Sequence, residues 1–218
     1  MKSLIKECCT DAWLDLVNAT VKKISVEKNT NIFSAGEKAL GLYEVIKGKV
    51  KVSSKDKIGN EYLLRLAGNL AILGHRGIGG NWKYSVTATA LEDTTLLFIP
   101  RNTFEILAKT NPLFSYKLMS LFAADLKTTE EKFLHLSVLN RIASAILMNY
   151  RAFGINPKTN ELNYTLSRQD LANAAITTYE STIRAIGELK KLNLIDTNNK
   201  SIRINNPKKL EAFVAESE

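Results

Sequence analysis

From Val21 to about Ile99 the chain alternates short apolar runs with glycine and polar turns: KKISV, NIFSAG, LYEVIKGKVKVSS, EYLLRLAG, YSVTATA and TTLLFIP. Runs of that length and spacing predict an antiparallel β sandwich or barrel, with Gly36, Gly48 and Gly59 at turns. The texture changes after Pro100. Arg101 to Lys109 reads as a short helix, and Asn111 with Pro112 opens a long one carrying apolar residues at Phe114, Leu118, Leu121, Phe122, Leu126, Phe133 and Leu136. Carried to about Ser137 without glycine or proline, that helix would be roughly 35 to 40 Å long. A stripe of that length needs a partner, although its polar middle, DLKTTEEK, is not a plain leucine zipper. Asp11 to Ala19 predicts a short helix before the first strand, and NRIASAILMNYRAFG an amphipathic helix ending near Gly154. LNYTLS reads as a small strand, LIDTNNKSIRINNP as two strands around the polar turn Thr197 to Lys200, and Pro207 to Glu216 as a final helix.

Between those last strands and the amphipathic helix lies Leu166 to Leu194, LSRQDLANAAITTYESTIRAIGELKKLNL, which reads as two short helices meeting at a tight turn. Ser167 has N-cap chemistry and Asp170 follows three residues later, so the first helix starts at about Arg168. Thr177 and Thr178 are candidate caps for the second, in which Thr182, Ala185, Ile186 and Leu189 share the face that packs on the first. Tyr179, Glu180, Ile183, Arg184 and Gly187 then face outward. Such a face suits the DNA major groove: arginine bonds bidentately to guanine, glutamate accepts from cytosine N4, and Ile183 can touch a thymine methyl. Two plainer readings stay open, a surface ion pair between Glu180 and Arg184 and a capping box of Thr177 with Glu180.

The 218 residues allow one or two domains, and 45% hydrophobic with 24% charged residues is ordinary for a globular protein. The formal charge of +8 favours a polyanionic partner without naming it. From Val138 onward there are 11 basic and 8 acidic residues, so the excess is not concentrated in the helix-turn-helix half. Nothing in MKSLIKECCTDAWLDLV is apolar enough for a signal peptide and no stretch approaches a membrane span, which makes a cytoplasmic protein without membrane contact the expectation. Cys8 and Cys9 are adjacent and are the only cysteines, leaving no disulfide framework and no CxxC metal pair. Neither His75 nor His135 sits in an acid/base or nucleophile constellation, so no catalytic residues are assigned and no enzyme is expected.

With the second helix reading TYESTIR, the chain resembles the Crp/Fnr superfamily of bacterial transcription regulators, whose members typically read Ser-Arg-Glu-Thr-Val-x-Arg there. The resemblance implies that Glu180 and Arg184 are the base-reading pair, Ser181 a phosphate-contacting hydroxyl, and Arg168 with Gln169 the polar start of the first helix, with Thr178, Tyr179 and Ile183 completing the DNA face. Two positions depart from the pattern: Tyr179 stands where many members have a base-contacting arginine, and Ile176 where the turn usually has glycine. A β-branched residue at positive φ is penalised, so the turn must be strained or take another path. The two strands around the turn Thr197 to Lys200 become the wing of a winged helix, with Lys200 at its tip; Lys190, Lys191 and Arg203 stand open as phosphate contacts or plain surface charges.

IFSAGEKALGLYEVIKGKVKV resembles the family's cyclic-nucleotide-binding β roll, a double-stranded β-helix or jelly roll. Members that bind cyclic AMP carry Gly-Glu-Leu and, about ten residues on, Arg-Ser, which cradle and neutralise the cyclic phosphate. Here the segment is ILGHRGIGGNWKYS: Gly74 is kept, His75 replaces the glutamate, and Tyr84 replaces the arginine before Ser85. Leaving a buried phosphate unpaired costs roughly several kcal/mol, so cyclic AMP is not the expected effector. Arg76 with Gly77, Gly79 and Gly80 either forms a different anion site or only shapes a loop. Thr129 matches a hydroxyl that members turn toward the nucleotide, but Glu130 follows it. The effector residues implied are therefore Gly74, His75, Arg76, Tyr84, Ser85 and Thr129, for an unidentified small molecule. Two cysteines cannot supply a four-cysteine iron–sulfur cluster like that of the oxygen-sensing branch, and a lone histidine reads better as a hydrogen-bonding group than as a haem ligand, so no cofactor is expected.

The expected architecture is α+β: a β-roll effector domain over 1–110, a dimerisation helix over 111–138 and a winged helix-turn-helix over 139–218. The resemblance implies a homodimer on a near-palindromic stretch of double-stranded DNA, with RNA polymerase as a further partner. The competing reading is a ligand-binding regulatory module that acts through protein contacts and carries a degenerate helix-turn-helix.

Overall fold

The computed structural model describes residues 3–78, 81–131 and 137–215. Packing groups the chain into two compact units, Met1–Val52 with Ala67–Phe133, and Ser53–Leu66 with Leu134–Glu218. Two short helices, α1 (Leu4–Cys8) and α2 (Asp11–Thr20), precede eight strands: β1 (Lys22–Val26), β2 (Asn31–Phe33), β3 (Gly41–Lys47), β4 (Val50–Lys55), β5 (Glu61–Ala67), β6 (Ile72–Leu73), β7 (Thr87–Ala90) and β8 (Thr94–Pro100). They form two four-stranded sheets, ordered β1-β8-β3-β6 and β2-β7-β4-β5. β8 is the pivot of the first, pairing antiparallel with β1 from Lys22 opposite Phe98 to Val26 opposite Thr94, and with β3 from Gly41 opposite Pro100. The β3–β4 turn closes on Gly48, whose φ of 121° suits glycine and where a Cβ would run into Thr94.

Pro100 ends β8 and leads directly into α3 (Arg101–Thr110); α4 (Pro112–Glu131) follows after Asn111. Asn111 fixes that corner with its side-chain amide: Oδ1 accepts from Phe114 N at 3.0 Å and Nδ2 donates to Cys8 O at 2.9 Å. The four helices cover the first sheet through a core that includes Leu42, Ile99, Phe104, Leu107, Phe114 and Leu118. Cys8 and Cys9 are free thiols inside this core, and burial pushes both up from their ordinary pKa. The long helix predicted to Ser137 is described as far as Glu131, about 30 Å of helix; Phe133, Leu136 and His135 lie outside the described residues.

In the C-terminal part, Ser137 accepts from Asn140 N and starts α5 (Val138–Phe153), which Gly154 ends at φ 73°. Then come α6 (Arg168–Ala175), α7 (Tyr179–Lys191), the hairpin β9 (Ile195–Asn198) and β10 (Ser201–Ile204), and α8 (Pro207–Ala215). Ile142, Ile146, Leu166, Leu171, Leu189 and Ile195 are fully buried and form the centre of its core. The strand predicted in LNYTLS does not form. Only isolated bridges occur, Ile155 with Leu162 and Glu161 with Arg203, because the segment is spent on closing the turn after α5: Asn163 N bonds Gly154 O and its side chain Phe153 O. Among the described residues no helix is long and apolar enough to cross a membrane.

Candidate nucleic-acid interface and effector segment

Helix α6 starts on Ser167, whose Oγ accepts from Asp170 N at 2.9 Å and donates to Asp170 Oδ2 at 2.7 Å. Helix α7 starts on Thr178, which accepts from Ser181 N at 3.2 Å. The cap is thus Thr178 and not Thr177, and the Thr178 hydroxyl also donates to Ser181 Oγ at 3.1 Å. Thr182, Ala185, Ile186 and Leu189 are the buried face of α7, leaving Tyr179, Glu180, Ile183 and Arg184 exposed. Among the described residues Glu180 and Arg184 form no ion pair with each other, and Glu180 makes no capping contact.

The turn between α6 and α7 takes the left-handed path usually given to glycine, and Ile176 adopts it, with φ 50° and ψ 58°. A branched side chain in that conformation costs about 1–2 kcal/mol. Near the start of α6, Arg168 is half-buried and donates to Lys200 O in the wing tip at 3.4 Å, while Gln169 bonds Asn173 Oδ1 at 2.9 Å. Lys200 extends from the tip of the hairpin, exposed. Of the other basic side chains there, Lys190 and Arg203 both pair with Asp196, at 3.4 and 3.1 Å. The Thr197 N–H and these cations hold the Asp196 carboxyl below its ordinary pKa.

In the roll, Tyr84 is 3% exposed and stacks on Phe33 with ring centroids 4.0 Å apart. Its hydroxyl donates to Gly41 O at 3.0 Å. Burial first, and then Tyr43 beside it, push the phenol far above its ordinary pKa. Gly74 and Gly77 serve this ring: a Cβ on either would come within 3.0–3.1 Å of it. His75 and Arg76 lie in a 3₁₀ turn, His75–Ile78, and both engage Asp125 of α4. His75 Nε2 stands 2.8 Å from Asp125 Oδ2, so Nε2 carries the proton that the carboxylate accepts, and Arg76 reaches the same oxygen at 3.2 Å. His75 Nδ1 is buried without a partner, and the ring meets Phe122 edge-on. Ser85 is exposed. Thr129 lies on α4 with its side chain outside the described residues, as do Gly79 and Gly80 altogether.

Asp125 is the residue sequence reasoning missed in the roll, hidden in the polar run DLKTTEEK fifty residues from its partners. Arg141, which reaches the α6–α7 turn from α5, is the one missed near the DNA face. Among the described residues no group of three or more histidine, cysteine, aspartate or glutamate side chains could hold a metal ion, and two buried cysteines do not fit a four-thiolate cluster.

Residues 23–111 match the model of the cyclic nucleotide-binding domain, and residues 140–213 that of the Crp-like helix-turn-helix domain. The chain belongs to the Crp/Fnr superfamily. This Crp/Fnr protein is 29% identical over 199 residues to the fumarate and nitrate reduction regulatory protein of Escherichia coli, covering 88% of this chain and 78% of that one. It is also 29% identical over 199 residues to the anaerobic regulatory protein of Aggregatibacter actinomycetemcomitans, covering 88% and 76%. Two solved structures share its fold: FixK2 from Bradyrhizobium japonicum, with a TM-score of 0.77 at 20% identity over 88% of this chain and 96% of that one, and a CRP/FNR-family transcriptional regulator from Thermus thermophilus, with a TM-score of 0.74 at 21% identity over 90% and 100%. The protein is accordingly a Crp/Fnr-type transcription regulator with a helix-turn-helix DNA-binding domain, of a family of regulators and not of enzymes.

Proposed function

We propose that the regulator binds a near-palindromic operator as a homodimer and reads it with the exposed face of α7. The observation that carries this is the pair Glu180 and Arg184, presented one helical turn apart with no ion pair among the described residues to consume them. Arg184 pairs with a guanine and Glu180 with a cytosine, Ile183 meets a thymine methyl, and Tyr179, Thr178 and Ser181 lie at the phosphate side of the helix start. Arg168, Gln169 and Lys200 supply backbone contacts from α6 and the wing. Residues 1–110 sense, 111–138 dimerise and 139–218 read DNA.

The dimer is supported by α4, where Tyr116, Met119 and Leu126 are 61%, 63% and 60% exposed and, with Ala123, fall at the 3–4 spacing of a coiled-coil seam. An effector acting on the roll would shift α4 through the 3₁₀ turn, since His75 and Arg76 both hold Asp125. That effector is not cyclic AMP, a reading supported by Tyr84, which is buried against Phe33 and bonded to Gly41 O at the position the resemblance gives to the phosphate-pairing arginine. RNA polymerase is the further partner, and the cytoplasm the site of action.

Selection of binding sites from random duplex DNA tests the assignment. The wild type should enrich a two-fold symmetric sequence, and Arg184→Ala should weaken its binding and relax preference at one base pair per half-site by about 1–3 kcal/mol. Failure to enrich any sequence would favour the alternative, a module working through protein contacts.

A further inference from the structure

We propose that Arg141 is a positioning residue for the recognition helix, bracing the left-handed turn at Ile176 through the two carbonyls that flank it. This rests on the reading of α7 as the helix that enters the groove. The last carbonyls of α6 have no helical partner of their own. Ala172 O is served twice, by the N–H groups of Ile176 and Thr177. Arg141, arriving from α5, serves the next pair: Nε donates to Ala175 O at 2.7 Å, and a terminal N–H to Ile176 O at 3.4 Å.

Those two oxygens belong to the peptide planes on either side of the Ile176 Cα. The angle between the planes is what φ and ψ of Ile176 define, so one rigid fork bonded to both holds that residue where a β-branched side chain does not rest by itself. Ile176 is 60% exposed and gains little from burial. The guanidinium also sets a cation against the negative end of the α6 dipole. Thr178 caps α7 only two residues later, so slack at Ile176 would be carried into the direction of α7 and move Glu180 and Arg184 in the groove. In sequence terms, Arg141 does the work that a turn glycine would otherwise do. A lysine, a point charge on a flexible stem without the rigid fork, does not fix the two oxygens relative to each other.

The test uses the full chain as Arg141→Lys, Arg141→Ala, Ile176→Gly and the two doubles with Ile176→Gly. Affinity for the selected operator is measured over a salt series, and amide hydrogen exchange is followed at Ile176 and Thr177 without DNA. Each Arg141 variant should bind the operator about tenfold more weakly, the worth of one charged hydrogen bond, with the salt slope unchanged. Exchange at both amides should quicken. Adding Ile176→Gly should restore most of the affinity and the protection, because glycine takes the left-handed turn unaided. A slope that falls by about one in the Arg141 variants would make Arg141 a phosphate contact and overturn the proposal. Absence of rescue by glycine would overturn it too, leaving a general packing role. If the wild type binds no duplex, the DNA-reading assignment fails, while the exchange data still decide the brace: unchanged protection in Arg141→Lys refutes it.

Discussion

Tyr84, which the family resemblance sets against an anion-pairing arginine, is buried with its ring close to Gly74 and Gly77 and its hydroxyl on Gly41 O. Calorimetry with cyclic AMP should therefore show no binding at millimolar nucleotide, and a micromolar dissociation constant would mean that Tyr84 leaves its seat. Glu44 offers a second residue-scale measurement. It is buried, and burial holds its carboxyl above the usual carboxylate range despite the Ser3 hydroxyl, which donates to it at 2.9 Å, and the opposing charge of Lys6. A folded-state pKa raised above the unfolded value means that the ionised group costs stability at neutral pH, and that the cost vanishes once pH falls below the unfolded value of about 4.3. Glu44→Gln should thus raise the unfolding midpoint at pH 7 and lose its advantage near pH 4; a gain independent of pH would contradict the assignment. What was legible in the sequence at this scale was backbone by position: Ile176 in a turn that wants glycine, which it takes in the left-handed conformation. Partnership was not legible, because Asp125 meets His75, and Arg141 meets Ala175, only through folding of segments 50 and 34 residues apart.

The elements were readable where a cap or a glycine marks an end. Ser167 and Thr178 each accept from an amide three residues on, which is why the starts of α6 and α7 could be placed from the sequence, whereas the Ser137 cap that starts α5 at Val138 was not singled out there. β6 is two residues long and α1 five, too short to show a period, and LNYTLS carries a strand-like composition that its asparagine diverts into a turn. Helix α4 was legible from its Asn111–Pro112 start through the described residues to Glu131, but not which apolar residues face inward. Phe114 and Leu118 enter the core, whereas Tyr116, Met119 and Leu126 stay outside. Replacing Met119 and Leu126 together by aspartate should leave the fold and its melting transition near wild type, since both are exposed, but convert the protein to monomer in sedimentation. A dimer that persists would place the two-fold axis elsewhere.

For the whole molecule, the order of parts was legible: a roll, a long helix, then a winged helix-turn-helix, each with its own periodicity. That order, with Glu180 and Arg184 exposed on α7, leads to the central claim that two copies read one symmetric site. Recognition helices of such a dimer enter successive major grooves about 34 Å apart. The most direct measurement is a hydroxyl-radical footprint on the selected operator, with stoichiometry determined on the same complex. The account predicts two protected segments related by a dyad, one helical turn apart, with two chains per duplex, both lost in the Met119/Leu126 aspartate variant. A single asymmetric footprint at one chain per duplex, or protection that ignores sequence, would contradict it.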